Sequence, residues 1–237
     1  KYIYQYDDIR TEPHELKAKN INPYLVEGND LVIEKRAKSL CKVNPIKYGS
    51  IAIDNGFLIL NEDEKIDLIN REPLSEKYIF TYGGGAEFIK NIKRYCLWLK
   101  DLNPNELKLM PIVKEKIDGV RDFRFSSDRE ATKKLAEYPT LFGEDRQPKN
   151  NYILIPKVSS ETRQYIPLGF LNKSHIANGS SMIVENATLF EFGILTSLMH
   201  MSWIKYTCGR MKSDYQYSNT IVYNNYPFPK NVSEKQK

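Results

Sequence analysis

The spacing of apolar and polar positions divides the chain into short strands and amphipathic helices. Apolar or alternating runs predict strands at 2–6, 30–34, 94–99, 152–158 and 165–170, with a hairpin or strand–turn–strand unit over 49–60. Helical spacing behind polar caps predicts a helix from Asn61 to before Pro73, a broken helix over 112–137, and one long helix over about 187–208.

Beyond Gly209, which follows the last predicted helix, the period of the pattern changes to two. One parity carries only hydrogen-bonding residues, namely Arg210, Lys212, Asp214, Gln216 and Ser218. The other parity carries Met211, Tyr215 and Tyr217, with Ser213 among them. Successive side chains of a strand point to opposite faces, so 210–218 is predicted to be one strand with a polar outer face and a largely apolar inner face.

The polar face has the chemistry that reads base edges in DNA. Lysine donates to guanine O6 and N7, aspartate accepts from cytosine N4, and glutamine pairs with adenine N6 and N7. From the pattern alone, a solvated strand face is an equally good interpretation.

The charge is concentrated in the half that holds this stretch. The net charge is +5, from 35 Lys/Arg and 30 Asp/Glu. Residues 146–237 contain 11 Lys/Arg and 5 Asp/Glu, a net charge of +6. Residues 1–145 contain the remaining 24 Lys/Arg and 25 Asp/Glu, a net charge of −1. This favours a polyanion-binding surface in the C-terminal half, although solubility alone also explains the excess.

Cysteine and histidine usage indicates neither disulfides nor a metal site. Cys41, Cys96 and Cys208 are far apart and lie among apolar neighbours, which predicts buried thiols in a reducing, cytoplasmic compartment. The three histidines are equally scattered, so no metal site is expected. No apolar run has transmembrane length and no signal peptide is visible, so no membrane partner is expected. The chain begins with Lys1, which suggests a piece of a longer polypeptide.

Two other features have a functional and a structural interpretation. The glycines at 83–85 fit no nucleotide-binding motif, and a tight turn is favoured over a phosphate cradle. Basic residues on the 112–137 helices either contact phosphates or are merely solvated; they are Arg121, Arg124, Arg129, Lys133 and Lys134.

Several stretches together resemble the MmeI-like family of single-chain restriction–modification enzymes. The similar segments are Tyr95–Leu99, Ile155–Pro167, Met199–Trp203, Gly209–Tyr215 and Tyr217–Pro229, and the resemblance covers the chain from about residue 20 in the family's order. It implies a target-recognition domain of α+β class, with mixed sheets and packed helices. In that family the domain follows an adenine-N6 methyltransferase core, and it is expected to sit in the major groove of double-stranded DNA.

The resemblance also implies roles for individual residues. Lys212 and Asp214 read one base pair together, Gln216 reads another with Gly179 or Ser180, and Lys157 lies at a third reading position. A lysine and an aspartate suit a G·C pair with guanine on the lysine side. Contacts to the DNA backbone are expected from Arg163, Arg210 and neighbouring lysines such as Lys173.

Catalytic motifs are absent from the sequence. There is no methyl-donor loop, no Asn/Asp-Pro-Pro-Tyr/Phe motif and no nuclease motif. The expected organisation is therefore a connector at 1–40 and a recognition domain at 41–237. No cofactor is expected in this segment, whereas the parent enzyme, with its methyltransferase and nuclease domains, would use S-adenosylmethionine and Mg²⁺. Two alternatives stay open: a divergent methyltransferase fragment using Asn224, Asn225 and Tyr226, and a protein-docking module.

Overall fold

The computed structural model describes residues 1–8, 10–230 and 233. The strands and helices follow the chain in this order: β1 (Tyr2–Gln5), β2 (His14–Lys17), β3 (Ile46–Tyr48), β4 (Ile59–Leu60), α1 (Glu62–Arg71), β5 (Ile79–Gly83), α2 (Gly85–Lys90), β6 (Tyr95–Leu97), α3 (Pro104–Leu107), α4 (Pro111–Phe125), α5 (Glu130–Lys134), β7 (Tyr152–Pro156), β8 (Val158–Ser159), β9 (Gly169–Leu171), β10 (His175–Ala177), β11 (Ser181–Glu185), α6 (Leu189–Leu195), α7 (Leu198–Thr207), β12 (Gly209–Met211) and β13 (Asp214–Gln216). Short 3₁₀ segments occupy Pro73–Tyr78 and Leu135–Glu137, and a π-helical turn occupies Asn219–Tyr223.

Four sheets organise these elements. Two four-stranded sheets have the orders β10-β5-β6-β4 and β3-β11-β7-β9, and a three-stranded sheet has the order β12-β13-β8. The N-terminal strands β1 and β2 pair with each other in a two-stranded sheet. Strands β10 and β5 are parallel, whereas the other strand pairs are antiparallel. The predicted α+β class with mixed sheets is confirmed.

Two main cores hold the sheets in place. The first joins the inner faces of β7 and β11 to α7 and to the tyrosines near the C-terminal end, including Tyr215, Tyr217 and Tyr226. The second packs β4, β5 and β6 against α1 and α4. Strands β7 and β11 are buried along almost their whole length, since they lie at the centre of their sheet.

The capping signals were read correctly from the sequence. Asn61 Oδ1 accepts from the Glu64 N–H at 2.9 Å while Glu64 Oε2 accepts from the Asn61 N–H at 2.8 Å, so α1 begins with the predicted capping box and ends before Pro73. The broken helix over 112–137 is also confirmed, as α4 and α5.

Three element predictions for the chain before Gly209 were wrong. Residues 30–34 form no strand, and the strand expected over 165–170 is confined to β9. The long helix over 187–208 is two helices, α6 and α7, because the Ser197 hydroxyl caps a new helix by accepting from the His200 N–H at 3.1 Å.

Arg124 on α4 is a structural residue, which corrects its assignment to the possible phosphate contacts. The side chain is fully buried. Its guanidinium donates to five backbone carbonyls at 2.8–3.0 Å, those of Ala52, Ile53, Leu135, Tyr138 and Leu141. Five N–H groups are all that a guanidinium has, so every donor is used. Arg124 thereby ties α4 to the loops on both sides of it.

Replacing Arg124 with methionine should destabilise the fold by about 3–5 kcal/mol, because the buried carbonyls lose their donors. The exposed neighbour Arg129, replaced with methionine, should change stability by less than about 0.5 kcal/mol. Denaturant unfolding of both variants measures the difference. Equal stabilities would show that Arg124 does not hold the loops.

Candidate nucleic-acid interface

The segment after α7 is a β-hairpin, not the single strand that the alternating pattern predicted. Strands β12 and β13 pair antiparallel, with Gly209 opposite Gln216 and Met211 opposite Asp214. The two-residue loop is Lys212-Ser213, and Lys212 adopts a φ of 57°. Such loops favour glycine or asparagine at positions of positive φ. Neither residue is present here, so the sequence carried no sign of the turn.

The hairpin changes which side chains share a face. Residues directly opposite each other in an antiparallel pair lie on the same face. Met211 therefore lies with Asp214 and Gln216, and it is exposed instead of facing the core. Ser218 leaves the row entirely, since its hydroxyl accepts from the Ile221 N–H at 3.3 Å and caps the π-helical turn.

Arg210 lies on the opposite face from Asp214 and Gln216. It is paired with Tyr215, and its guanidinium carbon is 4.0 Å from the centre of the tyrosine ring. The guanidinium also donates to the carbonyl oxygens of Ser213 at 3.1 Å and Lys205 at 3.3 Å. Arg210 thus fastens the hairpin to the end of α7, and its predicted contact with a DNA phosphate stays a prediction.

The rear of β13 is anchored in the first core, as the aromatic parity predicted. Tyr215 and Tyr217 are both buried there. The Tyr217 hydroxyl lies 3.1 Å from Nε2 of His200, a fully buried residue of α7. The ring of His200 in turn packs edge-on against Tyr226, with the ring centres 4.6 Å apart. This packing fixes the direction in which the outer face of β13 points.

A backbone ladder connects three predicted reading positions side by side. Gln216 pairs with Val158 of β8, and the next residue, Tyr217, donates its N–H to the Lys157 carbonyl at 2.8 Å. The Lys157 N–H then donates to the Ser180 carbonyl at 3.1 Å. Adjacent strands are about 4.8 Å apart, so Gln216 and Ser180 belong to backbones about 10 Å apart. The backbones of Gln216, Lys157 and Ser180 therefore lie side by side, with Val158 opposite Gln216 and Lys157 next to the buried Tyr217.

The side chains along this ladder differ in how free they are. Lys212 is exposed at the hairpin tip, and Ser180 is also exposed. Asp214 is half-buried, with Oδ1 accepting from the Glu161 N–H at 3.3 Å, and Gln216 is half-buried beside it. The Lys157 ammonium is 5.6 Å from the centre of the Tyr48 ring, so it already has a partner within the chain.

The predicted backbone-contacting residues do not all lie near this surface. Arg163 is exposed on the segment after β8, close in sequence to the Glu161 amide that Asp214 accepts from. Lys173 follows β9, and the last residue of β9, Leu171, pairs with Tyr152 at the start of β7. Ser181, which follows Ser180 of the ladder, pairs with Pro156 at the end of β7. Lys173 thus lies at the opposite end of β7 from the ladder, in a concave surface that it lines with Lys149 and Asn186.

Sequence reasoning assigned no role to Asn178, which holds the turn before β11. Its Oδ1 accepts from the Ser180 N–H at 2.9 Å and from the Ser180 hydroxyl at 2.6 Å. The signal was present as Asn-Gly-Ser, a sequence in which asparagine commonly bonds the backbone two residues on.

The segment Asn224-Asn225-Tyr226, an alternative catalytic motif, is used structurally. Both asparagines are buried. Asn224 Nδ2 donates to the Arg36 carbonyl at 2.8 Å and Asn225 Nδ2 donates to the Glu34 carbonyl at 3.0 Å. These bonds attach residues 34–36 to the C-terminal part of the chain. The predicted domain boundary near residue 40 stays a prediction.

Within the described ranges, no group of acidic, histidine and cysteine residues is placed to hold a metal ion. Likewise, no helix in the part of the chain that the structure covers is long and apolar enough to cross a membrane.

Comparison with known proteins agrees with this arrangement. Residues 27–230 match the family model described as the MmeI target recognition domain. The chain belongs to this family. The predicted resemblance is thereby confirmed over most of the chain.

Two relatives of the domain show how much of a longer protein it represents. DNA methyltransferase A of Bacillus subtilis (strain 168) is 35% identical over 220 residues, which cover 93% of this chain and 25% of that protein. A solved structure of the type IIL restriction–modification enzyme MmeI in complex with DNA is similar over 100% of this chain and 31% of its own, with 40% identity and a TM-score of 0.92. The chain thus spans about a quarter to a third of these relatives.

His200 should make the domain less stable in mild acid. Burial lowers its pKa from 6.5 to about 4. Between these values the unfolded chain binds a proton that the folded one excludes, so stability is complete above about pH 6.5 and is lost as the pH falls towards 4. The loss attributable to His200 should be about 3 kcal/mol.

Denaturant unfolding between pH 4 and 7 measures this loss. Burial also lowers the pKa of His175, so the comparison must be with His200→Gln, which removes one titration only. That variant should show a flatter pH profile than the unaltered chain. A His200→Gln profile as steep as that of the unaltered chain would contradict the assignment.

Proposed function

We propose that this chain reads a base sequence in the major groove of double-stranded DNA and gives a DNA adenine-N6 methyltransferase and restriction endonuclease its specificity. The observation that carries the proposal is the backbone ladder from Gln216 through Lys157 to Ser180. Its hydrogen bonds hold the backbones of three separate segments side by side, and the buried rings of Tyr215 and Tyr217 support the hairpin from behind. Rigid strands can hold reading groups more accurately than loops can.

Lys212 and Asp214 form the first reading pair. They are two residues apart across the hairpin tip, with one ammonium and one carboxylate to offer. A donor and an acceptor together match the edges of a G·C pair, since guanine presents acceptors and cytosine presents an amino donor in the major groove. We therefore assign guanine to the base on the lysine side.

Gln216 and the turn at Gly179 and Ser180 form the second reading group, and Lys157 lies between them in the ladder. The glutamine carboxamide supplies a donor and an acceptor, which suit adenine. The position of the domain on the duplex would be fixed by phosphate contacts from Arg163, Arg210 and Lys173.

The other activities are assigned to the remainder of a longer polypeptide. The relatives are three to four times as long as this chain, and one of them is named a DNA methyltransferase. Methyl transfer from S-adenosylmethionine and Mg²⁺-dependent cleavage would take place in domains outside this segment. Asn224 and Asn225, the alternative catalytic residues, are occupied in holding residues 34–36. We place the protein in the cytoplasm, in keeping with its three free cysteines.

Exchanging the charges of the first reading pair tests its role. In the full-length enzyme, Lys212→Glu with Asp214→Arg should change guanine to cytosine at a single position of the methylated motif, because donor and acceptor change places. The motif is measured by sequencing methylated genomic DNA from cells that express each variant.

A matched exchange serves as the control. Lys93 and Glu62 form an exposed ion pair 2.8 Å apart on the α1 side of the domain, so Lys93→Glu with Glu62→Lys should leave the motif unchanged. An unaltered motif in the Lys212 and Asp214 variant, with methylation retained, would refute the pairing.

Arg163 should contribute affinity without specificity. Replacing it with glutamine removes one phosphate contact, so binding to duplexes of any sequence should weaken by a similar factor. The slope of log affinity against log salt concentration should fall by about 1. Fluorescence anisotropy with cognate and scrambled duplexes at several salt concentrations measures both effects. A loss confined to the cognate duplex would instead make Arg163 a base reader.

A further inference from the structure

The glycine-rich segment at 83–85 lies directly behind the turn that carries Ser180. The Gly83 carbonyl accepts from the Asn178 N–H at 2.9 Å. A Cβ atom on Gly84 would lie 2.0 Å from Asn178 Oδ1 and 2.3 Å from Ser180 Oγ. A Cβ on Gly85 would lie 2.9 Å from Cβ of Pro156, the residue before Lys157. The segment is therefore packed against the 178–180 turn and against the end of β7.

Gly84 is needed for space and not for its backbone conformation. Its φ of −137° lies outside the left-handed region. Nearby Gly49 gives a useful contrast, because a Cβ there would meet the backbone carbonyl oxygens of Asn178 at 2.2 Å and Ala177 at 2.6 Å. The atoms nearest to an added methyl at Gly84 belong to the side chains of Asn178 and Ser180, whereas those nearest to one at Gly49 belong to the backbone.

The bonds of Asn178 fix the orientation of the Ser180 hydroxyl. The Ser180 N–H donates to Asn178 Oδ1 at 2.9 Å, which identifies that atom as the amide oxygen, since a backbone N–H can only donate. The Ser180 hydroxyl also donates to Oδ1, at 2.6 Å. A serine hydroxyl has one proton and two lone pairs. Because its proton is directed inward to Asn178, Ser180 offers only acceptors to the outside.

We infer that Asn178 and Gly84 are positioning residues that make Ser180 an obligate hydrogen-bond acceptor, so that it reads a base with an exocyclic amino group. In the major groove this means adenine N6 or cytosine N4. The inference rests on the proposed function, and it deepens it by assigning the class of base that the 178–180 turn selects. It also gives the glycines at 83–85 a role as the floor of a reading turn.

The test compares Gly84→Ala with Gly193→Ala in the full-length enzyme. Gly193 lies on α6, and a Cβ there would meet no atom within 4 Å. Methylation rates are measured on the cognate duplex and on duplexes with one base pair changed at each position in turn. Gly84→Ala should lose about tenfold in discrimination at a single position, one that holds adenine or cytosine opposite Ser180, while Gly193→Ala retains the discrimination of the unaltered enzyme.

A second set of variants separates positioning from general damage to the fold. Asn178→Ala should relax the same position, because the hydroxyl proton is then free to face outward and Ser180 can also donate. In a chain with Asn178→Ala and Ser180→Ala, adding Gly84→Ala should cause no further loss of discrimination, since the side-chain atoms nearest to the added methyl are gone.

The outcomes distinguish this inference from the function on which it rests. If the unaltered enzyme methylates all duplexes without sequence preference, the proposed function is overturned, and the inference with it. A clear motif in the unaltered enzyme, with Gly84→Ala and Asn178→Ala unchanged or relaxed equally at all positions, would overturn the inference alone. A relaxed position that holds guanine or thymine opposite Ser180 would also overturn it.

Discussion

The hydrogen bonds of Lys157 are the constraint on which the proposed reading surface depends. Its carbonyl accepts from the Tyr217 N–H and its N–H donates to the Ser180 carbonyl. One residue thus joins the segment after β13 to the turn before β11. These segments are about 60 and 20 residues away from Lys157 in sequence. This junction sets the distance between the 178–180 turn and the hairpin, which also pairs with β8. A fixed distance of this kind is what side chains from two segments need to read one base pair together.

Each side of this junction is supported by a different part of the fold. The hairpin rests on Tyr215, Tyr217 and His200, which belong to the core around α7. The 178–180 turn rests on the glycines at 83–85, which extend from β5 of the other large sheet. Arg124, in the second core, serves only the fold, even though its charge resembles that of a phosphate contact.

The sequence predicted local features well and non-local ones poorly. The capping box at Asn61, the buried run of β7 and the aromatic inner side of β13 each follow from spacing within a few residues, and all three were found. The hairpin was missed because Lys212-Ser213 lacks the glycine or asparagine that marks such turns. The role of Arg124 depends on partners more than 10 residues away, and that of Gly84 on partners more than 90 residues away. No local sequence pattern encodes contacts over such separations.

The most direct measurement is a structure of the full-length enzyme bound to its cognate duplex. We predict that Gln216 and Ser180 contact the edges of the same base pair in the major groove, with Lys212 and Asp214 on a guanine–cytosine pair nearby. We also predict that the Ser180 hydroxyl still donates to Asn178. A duplex bound on another surface of the domain, with these side chains facing solvent, would contradict both predictions.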